Sequence, residues 1–195
     1  MKSEVVCGNS MTYEYEDKYD LVITSPPYMN GLDYVMNYKI EMAWLGFITS
    51  HKEAKAIKDD MVVCDNVSKG LVKEFSKSRY YSNRWLDEII ESISRNIQTR
   101  QAYRRLDMPF IVRKYFDDMN KVIDKVSKAL NPEGRFILVV GDSLIADTYV
   151  PTDLILAKMG TEHGLDIESI ELARNRRSGQ VRDYRLRETV VTLRK

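Results

Sequence analysis

Apolar positions along this chain fall into two patterns. Short runs rich in Val, Ile and Leu occur at Glu4–Cys7, Asp20–Thr24, Arg135–Val140, Asp166–Leu172 and Glu188–Leu193. They are continuous rather than alternating, which predicts strands covered on both faces. Between them apolar residues recur at helical spacing. Val112, Phe116, Met119, Ile123, Val126 and Leu130 mark an amphipathic helix that stops at Asn131-Pro132-Glu133-Gly134. A second helix is predicted from Thr152 to Gly164, with Asp153 in its first turn. A third runs from about Asp33 to Leu45, with Val35, Tyr38, Met42 and Leu45 on one face. Strands alternating with helices predict an α/β fold with a largely parallel sheet. The exception is Gly46 to Arg113, which reads as helical and polar with one apolar stripe at Trp85, Ile89, Ile93 and Ile97. That stretch is too long for a strand connection and is expected to form an inserted helical subdomain.

Composition narrows the class. A chain of 195 residues fits one domain with a real core. No apolar run approaches the roughly 20 residues that span a bilayer, so no membrane partner is expected. The opening Met1–Ser10 lacks a secretory apolar segment, which makes the cytoplasm the expected location. Cys7 and Cys64 are far apart and outside any ligand spacing, as expected of reduced thiols, at least one in the core. His51 and His163 sit near no strand end with partners, so neither a metal site nor a Ser-His-Asp triad is expected. The net charge of +1 says little about nucleic acid, but its distribution says more. Lys69 to Lys114 holds eleven Lys/Arg against five Asp/Glu, and Arg174 to Lys195 holds eight against two. Such segments suit either a phosphate-facing surface or solvated helix faces and loops.

The chemistry concentrates in one turn. Asp20-Leu-Val-Ile-Thr-Ser-Pro-Pro-Tyr28 is a strand running straight into two prolines and an aromatic ring. Ligands in open α/β sheets bind at the carboxyl ends of strands. Consecutive prolines fix φ twice and donate no N–H, so the turn is stiff and its carbonyls point to fixed places. Pro26 also pushes Ser25 toward an extended conformation. A stiff group of acceptors beside a tyrosine suits a flat base with an exocyclic amine. Ser25 Oγ and the Pro26 carbonyl would accept from the amine while Tyr28 stacks on the ring. Accepting both hydrogens relocalises the nitrogen lone pair, so positioning supplies most of the acceleration and no strong base is required. The plainer reading is a turn that only ends a strand rigidly.

Ser25-Pro26-Pro27-Tyr28 resembles the catalytic motif of the amino-methyltransferases of DNA, written (D/N/S)-P-P-Y, in the serine form of the N4-cytosine enzymes. Val6-Cys7-Gly8-Asn9-Ser10 is similar to the family's strand end that contacts the cofactor adenine. Asn30, Asp33, Tyr34 and Lys39 resemble the stretch after the catalytic turn in one branch. Leu130 to Ser143, with its Pro-Gly turn, is similar to the family's fifth strand. Pro151-Thr152-Asp153 and Arg187 to Lys195 also fit, whereas Thr49 to Asp107 matches no named pattern.

The resemblance implies a Rossmann-like class I sheet, S-adenosylmethionine as cofactor and DNA as partner. It assigns catalysis to Ser25, Pro26, Pro27 and Tyr28, and cofactor contacts to Asn9, Ser10, Thr24 and Ser25. Asn30, Asp33, Tyr34, Lys39, Asp142, Ser143, Arg174, Arg176 and Arg177 are the expected substrate side, the arginines holding phosphates near a flipped base. Residues 1–48 and 108–195 would form the catalytic part. Residues 49–107 would be a helical insert and candidate target-recognition region, with Arg95, Arg100, Arg104 and Arg105 toward DNA.

The sequence also departs from the family. It has no Phe-x-Gly-x-Gly turn for the methionine end of the cofactor and no acidic residue for the ribose hydroxyls. Asn9 replaces the usual aspartate, although an amide still accepts from the adenine amine. The family sheet has the order 3-2-1-4-5-7-6, and the chain is expected to begin at the third strand, without the first two. Strand four would then expose an unpaired edge. Hence the expectation of a split enzyme, completed by a second polypeptide with the Phe-x-Gly-x-Gly half, or of self-association through that edge. The competing readings are a degenerate methyltransferase, a non-catalytic subunit that reads DNA through Thr49 to Arg113 for a complete methyltransferase elsewhere, and a methyltransferase of RNA bases.

Overall fold

The computed structural model describes residues 3–29, 31–64, 69–100, 106–177 and 184–195. In chain order these form β1 (Tyr19–Thr24), α1 (Tyr34–Asn37), α2 (Lys39–Trp44), α3 (His51–Asp60), α4 (Lys69–Phe75), α5 (Arg84–Arg100) and α6 (Met108–Ala129). There follow β2 (Leu130–Gly141), β3 (Ser143–Ile145), β4 (Thr148–Val150), α7 (Thr152–Glu162), β5 (Asp166–Arg177) and β6 (Arg185–Arg194). No helix among the described residues is long and apolar enough to cross a membrane.

Four strands make one sheet in the order β1-β2-β6-β5, with β1 at its edge. β1 pairs with β2 in parallel, whereas β2–β6 and β6–β5 are antiparallel. The sheet is therefore mixed, not largely parallel as the alternation suggested. A parallel pair needs a crossover, supplied between β1 and β2 by the long helical stretch, while a short link brings β6 back beside β5 in the opposite direction.

Two further expectations are corrected. Glu4–Cys7 is not a strand: residues 3–7 carry no regular structure, and Val5 is 98% exposed. A β-type run becomes a strand only where a neighbour completes its ladder, and these residues have none. The continuous apolar run of β1 is also uncovered, with Leu21 51% and Ile23 63% exposed.

The core is built around α6. Its Ile111, Val112, Tyr115, Phe116, Met119 and Ile123 are fully buried, along with Phe136, Leu138 and Val140 of β2 and Val191 and Leu193 of β6. The stripe of α5 joins the same core through Leu86, Ile89, Ile90, Ile93 and Ile97, with Trp85 left half-exposed at its end. Asn96 Nδ2 of α5 donates to the Ala146 carbonyl at 2.8 Å, tying the helix to the β3–β4 hairpin. The helical stretch between the two parallel strands is thus part of the body that carries the sheet.

Consecutive aspartates on α6 fasten the neighbouring loops. Asp117 Oδ1 accepts from the Tyr81 amide at 2.8 Å, and Asp118 Oδ2 from the Val63 amide at 3.2 Å. Lys114 Nζ donates to the other Asp118 oxygen at 2.5 Å. Burial raises the Asp118 pKa, and the Lys114 ammonium works against that rise.

Candidate active site

At the carboxyl end of β1 the chain enters Ser25-Pro26-Pro27-Tyr28, with Pro26 buried and Ser25 exposed. The Ser25 hydroxyl donates to the Val139 carbonyl of β2 at 3.3 Å. The turn closes with the Gly31 amide donating to the Tyr28 carbonyl at 3.0 Å. A β-carbon on residue 31 would lie 2.9 Å from that oxygen, so glycine is required by close approach.

Tyr28 is anchored across the sheet. Its hydroxyl donates to Glu188 Oε1 of β6 at 2.6 Å, and Arg174 Nε of β5 donates to Oε2 of the same carboxylate. Glu188 is 8% exposed. Hydrogen bonds from Arg174 and Tyr28 hold its pKa below the usual 4.5, against the opposing effect of burial. Burial and the Glu188 carboxylate raise the Tyr28 phenol above 10.0, against smaller opposing effects of Ser25 and Arg176. The phenol therefore stays protonated and serves as a donor and a ring. Arg176 lies over that ring, its Cζ 4.9 Å from the centroid, and its Nη2 donates to the Asp142 carbonyl at 3.0 Å.

Beneath the site two buried acids share one cation. Arg187 donates to Asp142 Oδ2 at 3.0 Å and to both oxygens of Asp153 at 3.0 and 2.9 Å. The Tyr149 hydroxyl also donates to Asp142 Oδ2. Burial raises the Asp153 pKa, and the neighbouring Asp142 raises it further. Burial and Asp142 push Tyr149 up to about 12. This network locks the ends of β2, β6 and α7 together.

A cavity of about 290 Å³ opens beside the turn. Ser10, Thr24, Ser25 and Pro26 contribute to its wall, with Tyr15, Val22 and Phe136 among the apolar lining. Three of the expected cofactor residues are thus brought together. Asn9 is near but occupied: its Nδ2 donates to the Asp60 carbonyl and carboxylate, each at 2.8 Å, and its Oδ1 accepts from the Met11 amide at 2.9 Å.

The expected substrate residues scatter more widely. Asp33 caps α1 by accepting from the Met36 amide at 3.0 Å and pairs with Lys58. Tyr34 and Lys39 are exposed on α1 and α2. Asp142 and Ser143 are 1% and 3% exposed, so neither opens at the turn. Arg174 and Arg176 reach Tyr28 through the contacts above, and Arg177 is exposed on β5. Asn30 lies outside the described residues, as do Arg104, Arg105 and the Arg100 side chain, while Arg95 is exposed on α5. Glu188, Gly141, Tyr149, Asp153 and Arg187 are not among the expected site residues, although all but Tyr149 fall in segments that resemble the family. A glutamate inside the apolar β6 run was a legible signal for the first.

Turn, cavity and sheet are those of an α/β protein with a cavity at a strand end. No family model matches the chain. It is similar to Type II methyltransferase M.AvaI of Nostoc sp. and of Anabaena variabilis, 28% identical to each over 160 residues. It is also similar to Type II methyltransferase M.BsoBI of Geobacillus stearothermophilus, 24% identical over 170 residues. Each match covers 80% of this chain but only 32–33% of the relative, so the chain spans about a third of the curated relatives it matches. A solved Thermus thermophilus protein named as a candidate DNA modification methylase aligns over 96% of this chain and 52% of its own. Its identity is 15% and its TM-score 0.44.

Proposed function

We propose that this chain carries the base-binding part of an S-adenosylmethionine-dependent DNA methyltransferase that acts on an exocyclic amine, the N4 amine of cytosine. The observation that carries this reading is Ser25-Pro-Pro-Tyr28 at the carboxyl end of β1, its serine hydroxyl beside the Val139 carbonyl and its tyrosine anchored by Glu188. The similarity to Type II methyltransferases supports it.

The residues present suit the task. Ser25 Oγ, whose hydroxyl can donate to the Val139 carbonyl, is left free to accept from the amine. The Pro26 carbonyl, in a ring-fixed turn, is the second acceptor. Together they draw both amine hydrogens and localise the nitrogen lone pair, while Tyr28 holds the flipped base by its face. The cavity at Ser10, Thr24 and Ser25 fits an adenosine moiety, with polar atoms at one edge and apolar walls. S-adenosylmethionine, when bound, supplies an electrophilic methyl group. Arg177, exposed on β5, would meet the phosphates flanking the base, with exposed Arg95 of α5 as a further cation, while Arg174 and Arg176 are engaged around Tyr28.

The reading includes a second polypeptide. Among the described residues β1 is paired on one side only, with Leu21 and Ile23 exposed, and these 195 residues hold no Phe-x-Gly-x-Gly turn for the methionine end of the cofactor. A partner bearing a Phe-x-Gly-x-Gly turn, with a strand that pairs with β1, would remedy both. β1, β2, β6 and β5 then correspond to strands 4, 5, 7 and 6 of a class I methyltransferase sheet. The test is binding of S-adenosylmethionine by calorimetry to the chain alone and to the chain with that partner. Weak or absent binding alone and tight binding in the pair is expected. Robust methyl transfer by the purified chain alone would overturn the need for a partner.

A further inference from the structure

Arg176 holds an unusual pose over Tyr28. Its Nη2 is satisfied by the Asp142 carbonyl, yet its Nε is buried with no hydrogen-bond partner. The pose exists because residue 141 is glycine. A β-carbon there would overlap the guanidinium and lie 3.1 Å from the edge of the Tyr28 ring. A guanidinium over an aromatic face is attractive, whereas a buried donor without an acceptor opposes burial. The pose is therefore held by the ring and the Asp142 carbonyl and weakened by the unpartnered Nε, as suits a group that can leave. A ring face carries one planar group at a time.

We propose that Arg176 is a displaceable cap: it covers the Tyr28 face until the target base arrives, then swings off to donate to a DNA phosphate. This rests on the base-methylating reading above. A phosphate would satisfy the Nε that is orphaned in the capped pose, and the guanidinium fork matches its oxygens. The anchor of the ring does not depend on the cap. Glu188 holds the Tyr28 hydroxyl and is itself paired with Arg174, so the ring keeps its place when Arg176 departs. The exchange couples base entry on that face to phosphate contact: the face that Arg176 covers opens when a backbone is close enough to receive the guanidinium. Arg176 is on this view a positioning residue.

The test is the salt dependence of DNA binding by the full chain, using a short duplex with one cytosine opposite an abasic position. Such a cytosine is already unpaired and enters the site at little cost. Arg176→Ala is expected to lower the slope of log affinity against log salt by about one, and Arg176→Lys to keep it, because one phosphate contact is lost or retained. A purely structural role would not move that slope. An unchanged slope in Arg176→Ala, with Arg177→Ala still lowering it, would overturn the cap and leave the proposed function standing. Absence of wild-type affinity for the duplex at low salt would overturn both.

Discussion

At the residue scale the site depends on Tyr28 and the carboxylate that holds it. Tyr28→Ala removes a stacking surface worth about 1–3 kcal/mol per base. Methyl transfer, measured as labelled methyl incorporated into DNA by the completed enzyme, should fall roughly five- to 150-fold with the fold intact. Tyr28→Phe keeps the ring and loses only the Glu188 hydrogen bond, so it should fall less. Equal losses in the two variants would move the role from ring to hydroxyl. Glu188 adds a pH signature. Its folded pKa is depressed below 4.5, so its contribution to stability is present above that value and is lost as pH falls through the depressed pKa. Urea titrations of wild type and Glu188→Gln should differ at neutral pH and converge in acid below pH 4.5. A difference that stays constant across that range would detach Glu188 from the anchoring role.

Among the elements, α5 gives the clearest test of how the helical stretch is built in. Ile93 is fully buried in the core it shares with α6 and the sheet. Ile93→Ala should cost about 2–5 kcal/mol. Urea unfolding followed by helix and by sheet signals should shift as one transition, whereas separate transitions would make the stretch an independent unit. The elements that periodicity located are those whose pattern is local and long. The α6 stripe and the runs of β1, β2, β5 and β6 all lie where apolar spacing put them. The expected single helix from Asp33 breaks at Tyr38 into α1 and α2, a division that apolar spacing cannot register. The β3–β4 hairpin has three-residue strands joined by Ala146 and Asp147, both at positive φ, with none of the Asn-Gly or Gly signals that announce such a turn. Likewise Ser25 to Tyr28 was legible because proline stiffness is local. The Glu188 anchor and the Arg176 stack join residues far apart in sequence and exist only once β5 and β6 lie beside β2.

For the whole molecule, the decisive feature is the open side. β1 is an edge strand of its sheet among the described residues, with Leu21 and Ile23 exposed, and elsewhere Ile40, Trp44 and Phe47 are 72%, 89% and 68% exposed. Exposed apolar area of this kind marks an interaction surface or an aggregation hazard. The chain alone should therefore self-associate in a concentration-dependent way, seen by light scattering. The completing polypeptide should abolish that behaviour, and a strictly monomeric chain at high concentration would speak against an open edge. The central claim is that this edge and the Ser25–Tyr28 turn belong to one methyl-transferring site. Its most direct test is mass spectrometry of nucleosides from DNA of cells expressing the chain with its completing polypeptide. N4-methylcytosine with the wild-type chain, and none with Tyr28→Ala, is the predicted result. DNA without any methylated exocyclic amine, or with equal amounts from both chains, would contradict it.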